Sequence, residues 1–157
     1  MPLTQSVTFI TGDKSMFNSI LVVCVGNICR SPTGERLLRK YLPAKKVDSA
    51  GIGALVGREA DASAKHIADK NLLSLNGHCA RQLTKAICHE YDLILVMEKK
   101  HITAVCDYSP EIRGKVMLFG HWTGREIPDP YKKSLDSFQA VYGLLDAAAQ
   151  QWANKLS

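Results

Sequence analysis

The stretch Cys24-Val-Gly-Asn-Ile-Cys-Arg-Ser31 decides the fold of this chain. It follows the aliphatic run 20–23, which is typical of a buried parallel strand. Ser31 and Pro32 are a favourable N-cap and first residue for a helix that we predict to end at Tyr41. We therefore predict a loop from a strand to a helix, where backbone N–H groups and the helix dipole together can hold an oxyanion.

The two ends of this loop carry complementary chemistry. Cys24 opens the loop and Arg30 closes it, so both side chains can face one bound phosphoryl group. A thiolate is a strong nucleophile, and a planar guanidinium binds two phosphoryl oxygens at once. We predict a phosphate pocket with its own nucleophile, lined by the other residues of the stretch: Val25, Gly26, Asn27, Ile28, Cys29 and Ser31.

A second chemical feature lies in residues 120–133, a stretch without regular periodicity. Asp129 stands there between Pro128 and Pro130, whose fixed φ angles stiffen the backbone. A carboxyl group held over the pocket can protonate a poor leaving oxygen and later take a proton from water. An isolated Asp-Pro is more often an ordinary turn, but the upstream C-x5-R-S loop favours an acid–base role for Asp129.

Strand-like and helix-like segments alternate along the chain, which predicts an α/β fold. We expect a single domain with a four-stranded parallel twisted sheet, helices on both faces, and the phosphate-binding loop between the first strand and the first helix. Strands are predicted at 20–23, 46–50, 93–97 and 116–119, the second of them at an edge. Helices are predicted at 32–41, 60–75, 84–90, 98–107 and 134–155.

The composition favours a soluble protein of a reducing compartment. The chain has 157 residues, 46% of them hydrophobic, and we find no apolar span that would anchor it in a membrane. Five cysteines are an odd number, which indicates free thiols in a cytoplasm. The net charge of +5 favours anionic partners, but no nucleic-acid-binding motif accompanies it.

Residues 1–15 do not fit the pattern of the remaining chain. Their polarity is mixed and they show no clear period. We predict a disordered or upstream-initiated extension, although residues 7–10 could add a short strand, and Met16 is a candidate for the natural start.

The chain resembles the low-molecular-weight protein tyrosine phosphatases, through Cys24–Ser31 near its start and Asp129-Pro-Tyr131 near its end. The resemblance extends over 16–157, the expected phosphatase domain. It implies hydrolysis of phosphotyrosine through a cysteinyl-phosphate, with Cys24 as nucleophile, Arg30 as phosphate clamp and Asp129 as acid and base. No metal or other cofactor is expected, because Arg30 and the loop amides can neutralise the phosphate charge.

Further segments resemble the bacterial Wzb-like branch of that family, among them Ser49-Ala-Gly51, Gly77-His-Cys-Ala-Arg-Gln82 and Arg113–Trp122. This branch acts on the tyrosine-rich tails of membrane-associated tyrosine autokinases that control capsule or exopolysaccharide production. The resemblance therefore implies such a phosphotyrosine tail as partner, and phosphate-like oxyanions as inhibitors.

The resemblance also assigns supporting roles around the loop. Asn27 is implied to hold the loop in a strained geometry through Ser49 and His78. The hydroxyl of Ser31 is implied to stabilise the thiolate of Cys24.

The walls of the cleft are implied in the same way. Tyr131 is expected to lie beside the substrate ring, and Leu55 stands where other members carry an aromatic second wall. An aliphatic wall loses ring stacking, so affinity for isolated phosphotyrosine should be modest. Cys29 can approach Cys24, so peroxide could link them in a reversible disulfide. The alternative is that Cys29 only packs under the loop.

Two other functions stay open at this point. A thioredoxin-coupled arsenate reductase shares the fold and the loop and would use further cysteines, although Asp129-Pro-Tyr131 and the cysteine spacing disfavour it. A phosphotyrosine-binding or redox-sensing module without turnover would usually lack the nucleophile or the acid.

The case for a zinc site is weaker than for either of these functions, because no C-x2-C pair exists among its candidate ligands: Cys79, Cys88, His89 and Cys106.

Overall fold

Four parallel strands form the centre of the structure, a computed structural model that describes residues 17–157. The strands are β1 (Ser19–Cys24), β2 (Lys46–Gly51), β3 (Leu93–Val96) and β4 (Val116–Leu118), in the spatial order β2-β1-β3-β4. All three strand pairs are parallel. The prediction of four strands with the second at an edge is confirmed. The predictions for residues 1–15 and for Met16 lie outside the described residues.

Helices connect these strands and follow the last one. They are α1 (Arg30–Tyr41), α2 (Ala62–Lys70), α3 (Lys85–Glu90), α4 (Lys99–Cys106) and α5 (Leu135–Leu156). An additional 3₁₀-helix, not among the predicted elements, precedes β4 at Pro110–Lys115. Within residues 17–157, no helix is both long and apolar enough to cross a lipid bilayer.

Two predicted helix boundaries are wrong. The helix predicted at 60–75 ends at Lys70, because Asn71 caps it and Leu72 has a left-handed φ of 60°. The helix predicted to start with Ser31 as N-cap begins one residue earlier than that cap, at Arg30. The Ser31 hydroxyl contacts the Cys24 thiol instead of capping a backbone N–H.

Side chains of the strands alternate between two cores, one on each face of the sheet. Ile20 and Val22 point into a core with α1, α2 and α5, whereas Leu21 and Val23 point into a second core with α3 and α4. The helices therefore cover both faces, as predicted for an α/β fold. The apolar stripe of α5 packs on the first core, and its Trp152 is fully buried.

This topology places a crevice at the carboxyl end of β1. The chain leaves β1 towards α1 on one face and leaves the neighbouring β3 towards α4 on the other face. Connections that diverge from adjacent parallel strands open a crevice between them, the usual ligand position in such sheets.

Candidate active site

Carbonyl groups of the loop 24–31 point away from the pocket that the loop encloses. Four of these carbonyls accept hydrogen bonds of 2.8–3.0 Å from backbone N–H groups of the segment 52–61. The pairs are Cys24 with Ile52, Val25 with Gly53, Gly26 with Leu55, and Ile28 with Asp61. In the part of the chain that the structure describes, the N–H groups from Val25 to Ser31 donate to no protein acceptor. They are left for a ligand, and the N-terminus of α1 adds its partial positive charge.

Asn27 fixes the conformation of the loop through hydrogen bonds to four other residues. Its φ of 59° lies in the left-handed region, which costs a non-glycine residue about 1–3 kcal/mol and persists only where the surroundings hold it. Its amide nitrogen donates to Ser31 Oγ at 2.7 Å and to Ser49 Oγ at 3.0 Å, and its amide oxygen accepts from the Arg81 N–H at 2.9 Å. Its backbone oxygen lies 2.6 Å from His78 Nε2. These four contacts hold the strained conformation.

The state of His78 follows from that contact. A carbonyl oxygen can only accept, so Nε2 of His78 carries the hydrogen. Burial lowers the pKa of the His78 imidazole, so the ring stays neutral near pH 7. Ser49 and His78, both implied as supports by the resemblance, are thus in direct contact with Asn27.

The thiol of Cys24 lies at the bottom of the pocket. Its Sγ is 2.9 Å from Ser31 Oγ, and the residue is buried. Because Ser31 Oγ already accepts from the Asn27 amide, its own hydrogen is available to the sulfur. The hydroxyl is therefore placed to donate to a Cys24 thiolate.

Arg30 is held so that one side of its guanidinium faces the pocket. Both Nη1 hydrogens are used, in 2.7 Å bonds to Glu98 Oε2 and to the backbone oxygen of Ile127. Within residues 17–157 no hydrogen bond uses its Nε or Nη2 hydrogens, and Nη2 lies 3.9 Å from Asp129 Oδ2. The Nε and Nη2 groups form the planar fork that matches two phosphoryl oxygens.

Glu98 is a partner of Arg30 that was not predicted from the sequence. Burial opposes ionisation of Glu98, but the hydrogen bond and charge of Arg30 outweigh it and hold the pKa of this carboxyl below its usual value. Its position could have indicated this role, because Glu98 lies two residues after β3, the strand next to β1. Side chains that follow neighbouring parallel strands meet at the same crevice.

Asp129 stands at the mouth of the pocket with a half-exposed side chain. Its Oδ1 accepts the backbone N–H of Tyr131 at 3.0 Å, so the carboxylate bonds back to its own turn. The other oxygen, Oδ2, points towards Arg30. This carboxyl group is thus oriented by its turn yet reachable from solvent, as proton exchange requires.

The pocket above the thiol has mainly apolar walls. Leu55 and Tyr131 line it, together with Gly53, Asp129 and the loop residues Cys24, Val25, Gly26, Ile28, Cys29 and Arg30. The predicted loop, acid and walls therefore meet at one site, with Asn27, Ser31, Ser49 and His78 behind it. A flat ring between Leu55 and Tyr131 would direct an attached phosphoryl group towards Cys24 and Arg30.

All five cysteines are free thiols. Burial, with the charges of Asp61 and Cys24 adding to it, raises the pKa of Cys29, so this residue is protonated near pH 7. Its disulfide with Cys24 stays a prediction. Among the described residues, no three histidine, cysteine or acidic side chains cluster in a way that could hold a metal ion.

Comparison with known proteins gives a consistent result. The family described as low molecular weight phosphotyrosine protein phosphatase matches residues 19–157. The chain is 63% identical to the Salmonella typhimurium low molecular weight protein-tyrosine-phosphatase Wzb over 90% of this chain and 96% of that protein. It is 61% identical to the probable phosphatase AmsI of Erwinia amylovora, over 90% of this chain and 99% of that protein.

A solved structure agrees in both fold and sequence. The structure of Vibrio vulnificus Wzb in complex with benzylphosphonate superposes with a TM-score of 0.88 at 56% identity, covering 89% of this chain and 99% of that one. Identity at this level over nearly the whole length of each relative is decisive for family membership. The chain belongs to the low molecular weight phosphotyrosine protein phosphatase family, in its bacterial Wzb-like branch.

Proposed function

We propose that the protein hydrolyses phosphotyrosine through a cysteinyl-phosphate formed on Cys24. The observation that carries the proposal is the convergence of three groups on one pocket: the Cys24 thiol, the free fork of Arg30 and the Asp129 carboxyl. The ligand of the Vibrio relative supports an aromatic compound with a phosphorus-containing head in this pocket.

In the first step, the Cys24 thiolate attacks phosphorus in line with the tyrosyl oxygen. A sulfur–phosphorus bond forms while the bond from phosphorus to the tyrosyl oxygen breaks. Asp129, in its acid form, gives its proton to that oxygen, so tyrosine leaves as a neutral phenol. The Arg30 fork and the loop amides hold the equatorial oxygens, whose negative charge is spread in the transition state.

In the second step, water attacks phosphorus and the sulfur–phosphorus bond breaks. The Asp129 carboxylate, left ionised by the first step, now takes a proton from the attacking water. The products are inorganic phosphate and a regenerated Cys24 thiolate. The Ser31 hydroxyl is placed to donate a hydrogen bond to this thiolate. Asn27, Ser49 and His78 hold the loop during both steps through their hydrogen bonds.

The direct test is release of phosphate from a phosphotyrosine peptide by the reduced protein in the presence of a metal chelator. A peptide of the same sequence carrying phosphoserine is the matched control substrate. We expect faster turnover of the phosphotyrosine peptide, because only its ring can pack between Leu55 and Tyr131. No phosphate release from the phosphotyrosine peptide would refute the proposal.

Asp129→Asn is expected to lower kcat for a phosphotyrosine peptide about 100-fold or more, because the amide cannot give up a proton. The loss should be much smaller for an aryl phosphate whose leaving phenol is strongly acidic, since that oxygen needs no protonation. Steady-state kinetics with both substrates check this expectation. Asp136→Asn, at an exposed aspartate in the first turn of α5, is the control and should be active. An equal loss for both substrates would argue against the acid role.

Leu55→Trp is expected to lower KM for a phosphotyrosine peptide by about two- to tenfold, because a second aromatic wall restores ring stacking. Val56→Trp is the matched control, since this neighbour is exposed and does not line the pocket. Steady-state kinetics of the two variants measure the difference. An unchanged KM in Leu55→Trp would show that the second wall lies elsewhere.

The physiological substrate that we propose is the phosphotyrosine tail of a membrane-associated tyrosine autokinase of capsule or exopolysaccharide production. Membership of the Wzb-like branch supports this partner, and the open mouth beside Leu55 and Tyr131 suits an extended tail.

We propose the cytoplasm as the location of the protein, which the five free thiols support. Phosphate and similar oxyanions should inhibit by occupying the Arg30 fork.

A further inference from the structure

His101 is a buried histidine to which the mechanism above gives no role. It lies in the first turn of α4, three residues after Glu98, and only 3% of its surface is exposed. Its Nδ1 accepts the backbone N–H of Glu98 at 3.2 Å. Its Nε2 lies 3.7 Å from Glu98 Oε2, the oxygen that binds Arg30.

The hydrogen on this ring can be placed by elimination. Because Nδ1 accepts a hydrogen bond, the hydrogen of the neutral ring is on Nε2. The charged groups around the ring are Arg30, Glu98, Lys100 and Asp129. Burial first, and then the charge of Arg30, lower the pKa of His101, so the ring is neutral near pH 7.

The Nε2–H group is buried and has no hydrogen-bond partner among residues 17–157. A buried donor without a partner is uncommon and calls for an explanation. Glu98 Oε2 lies less than 1 Å beyond hydrogen-bonding distance from Nε2, so a small shift of the carboxylate would complete a hydrogen bond.

We propose that His101 is a positioning residue that holds the Glu98 carboxylate and, through it, the phosphate-binding fork of Arg30. An oxyanion bound to the fork competes with Glu98 for the positive charge of Arg30. Arg30 Nη1 then attracts the Glu98 carboxylate less strongly. The Nε2–H of His101 is the nearby donor that can form a hydrogen bond with Oε2 of this carboxylate. After this small shift the carboxylate is still close to Nη1, so the fork keeps its orientation while phosphate enters and leaves.

This inference rests on the proposed function only in taking Arg30 as the phosphate ligand. Its test is therefore binding of inorganic phosphate, measured by calorimetry, which needs no turnover. In His101→Asn the shorter side chain can still accept the Glu98 N–H but cannot donate at the position of Nε2. In His101→Gln an amide nitrogen can reach that position. His66→Asn, at an exposed histidine on α2, is the control.

We expect His101→Asn to weaken phosphate binding about tenfold, the effect of losing one hydrogen bond to a charged group. His101→Gln should restore most of the affinity, and His66→Asn should not change it. In a Glu98→Ala background, His101→Asn should have no additional effect, since no carboxylate remains to be held. Thermal unfolding shows whether each variant is folded.

Three results would overturn the inference. They are equal affinities for native protein and folded His101→Asn, a loss in His101→Gln as large as in His101→Asn, or an undiminished effect of His101→Asn in the Glu98→Ala background. Failure of the proposed function looks different. In that case phosphate would bind with the pattern of variants given above, but the phosphotyrosine peptide would not be hydrolysed.

Discussion

Cys24→Ser is expected to reduce phosphatase turnover by roughly four orders of magnitude or more, since a serine hydroxyl without an adjacent base is a very weak nucleophile. The loop carbonyls bonded to residues 52–61 and the contacts of Asn27 do not involve the sulfur, so the oxyanion site should persist. Phosphate release and phosphate binding are measured on the same preparation. The variant should no longer release phosphate from the peptide, but it should still bind inorganic phosphate.

Cys79→Ser provides the matched control for this variant. Cys79 undergoes the same chemical change but is exposed and does not line the pocket. It should be fully active. Turnover of folded Cys24→Ser within tenfold of the native rate would rule out the cysteinyl-phosphate, and so would an equal loss in Cys79→Ser.

Arg30→Lys is expected to lower kcat/KM about 100- to 1000-fold, the scale of removing an oriented donor from a transition-state anion. The positive charge is kept, so the loss measures geometry. A lysine ammonium has three hydrogens and cannot bind Glu98 and the Ile127 oxygen while it also presents a planar fork to phosphate. Binding of inorganic phosphate should weaken in parallel, because the ground state uses the same fork.

Arg39→Lys tests whether any arginine-to-lysine change in α1 has this effect. Arg39 lies in the last turn of the helix and is bound to the Val47 oxygen and to Asp48, away from the pocket. It should be close to native in kinetics and in phosphate affinity. Native-like kcat/KM in Arg30→Lys would show that the charge of Arg30 is sufficient and that its bidentate geometry is not used.

Local patterns predicted the parts of this fold that depend on neighbouring residues. Each of these patterns lies within one short segment: the aliphatic run before Cys24, the helix-like stretch 134–155 and the two prolines around Asp129. The structure shows a strand, a helix and a turn there. The error at Ser31 has the opposite cause. Serine before proline is a good N-cap locally, but here contacts with Cys24 and Asn27 determine where its hydroxyl lies.

The sequence by itself determined the class of chemistry, because a thiol and a guanidinium in one strand-to-helix loop suit few functions other than phosphoryl binding and transfer. Only the tertiary structure decided how the guanidinium is aimed. Its partners Glu98 and Ile127 lie 68 and 97 residues away along the chain. Glu98 meets Arg30 because β3 pairs with β1, so that the loops after these two strands share one crevice. Ile127 follows β4, which pairs with β3, and its N–H donates to the Met97 oxygen just after β3, which brings it to the same crevice. No periodicity within a segment encodes that pairing, which arises from packing of the whole sheet.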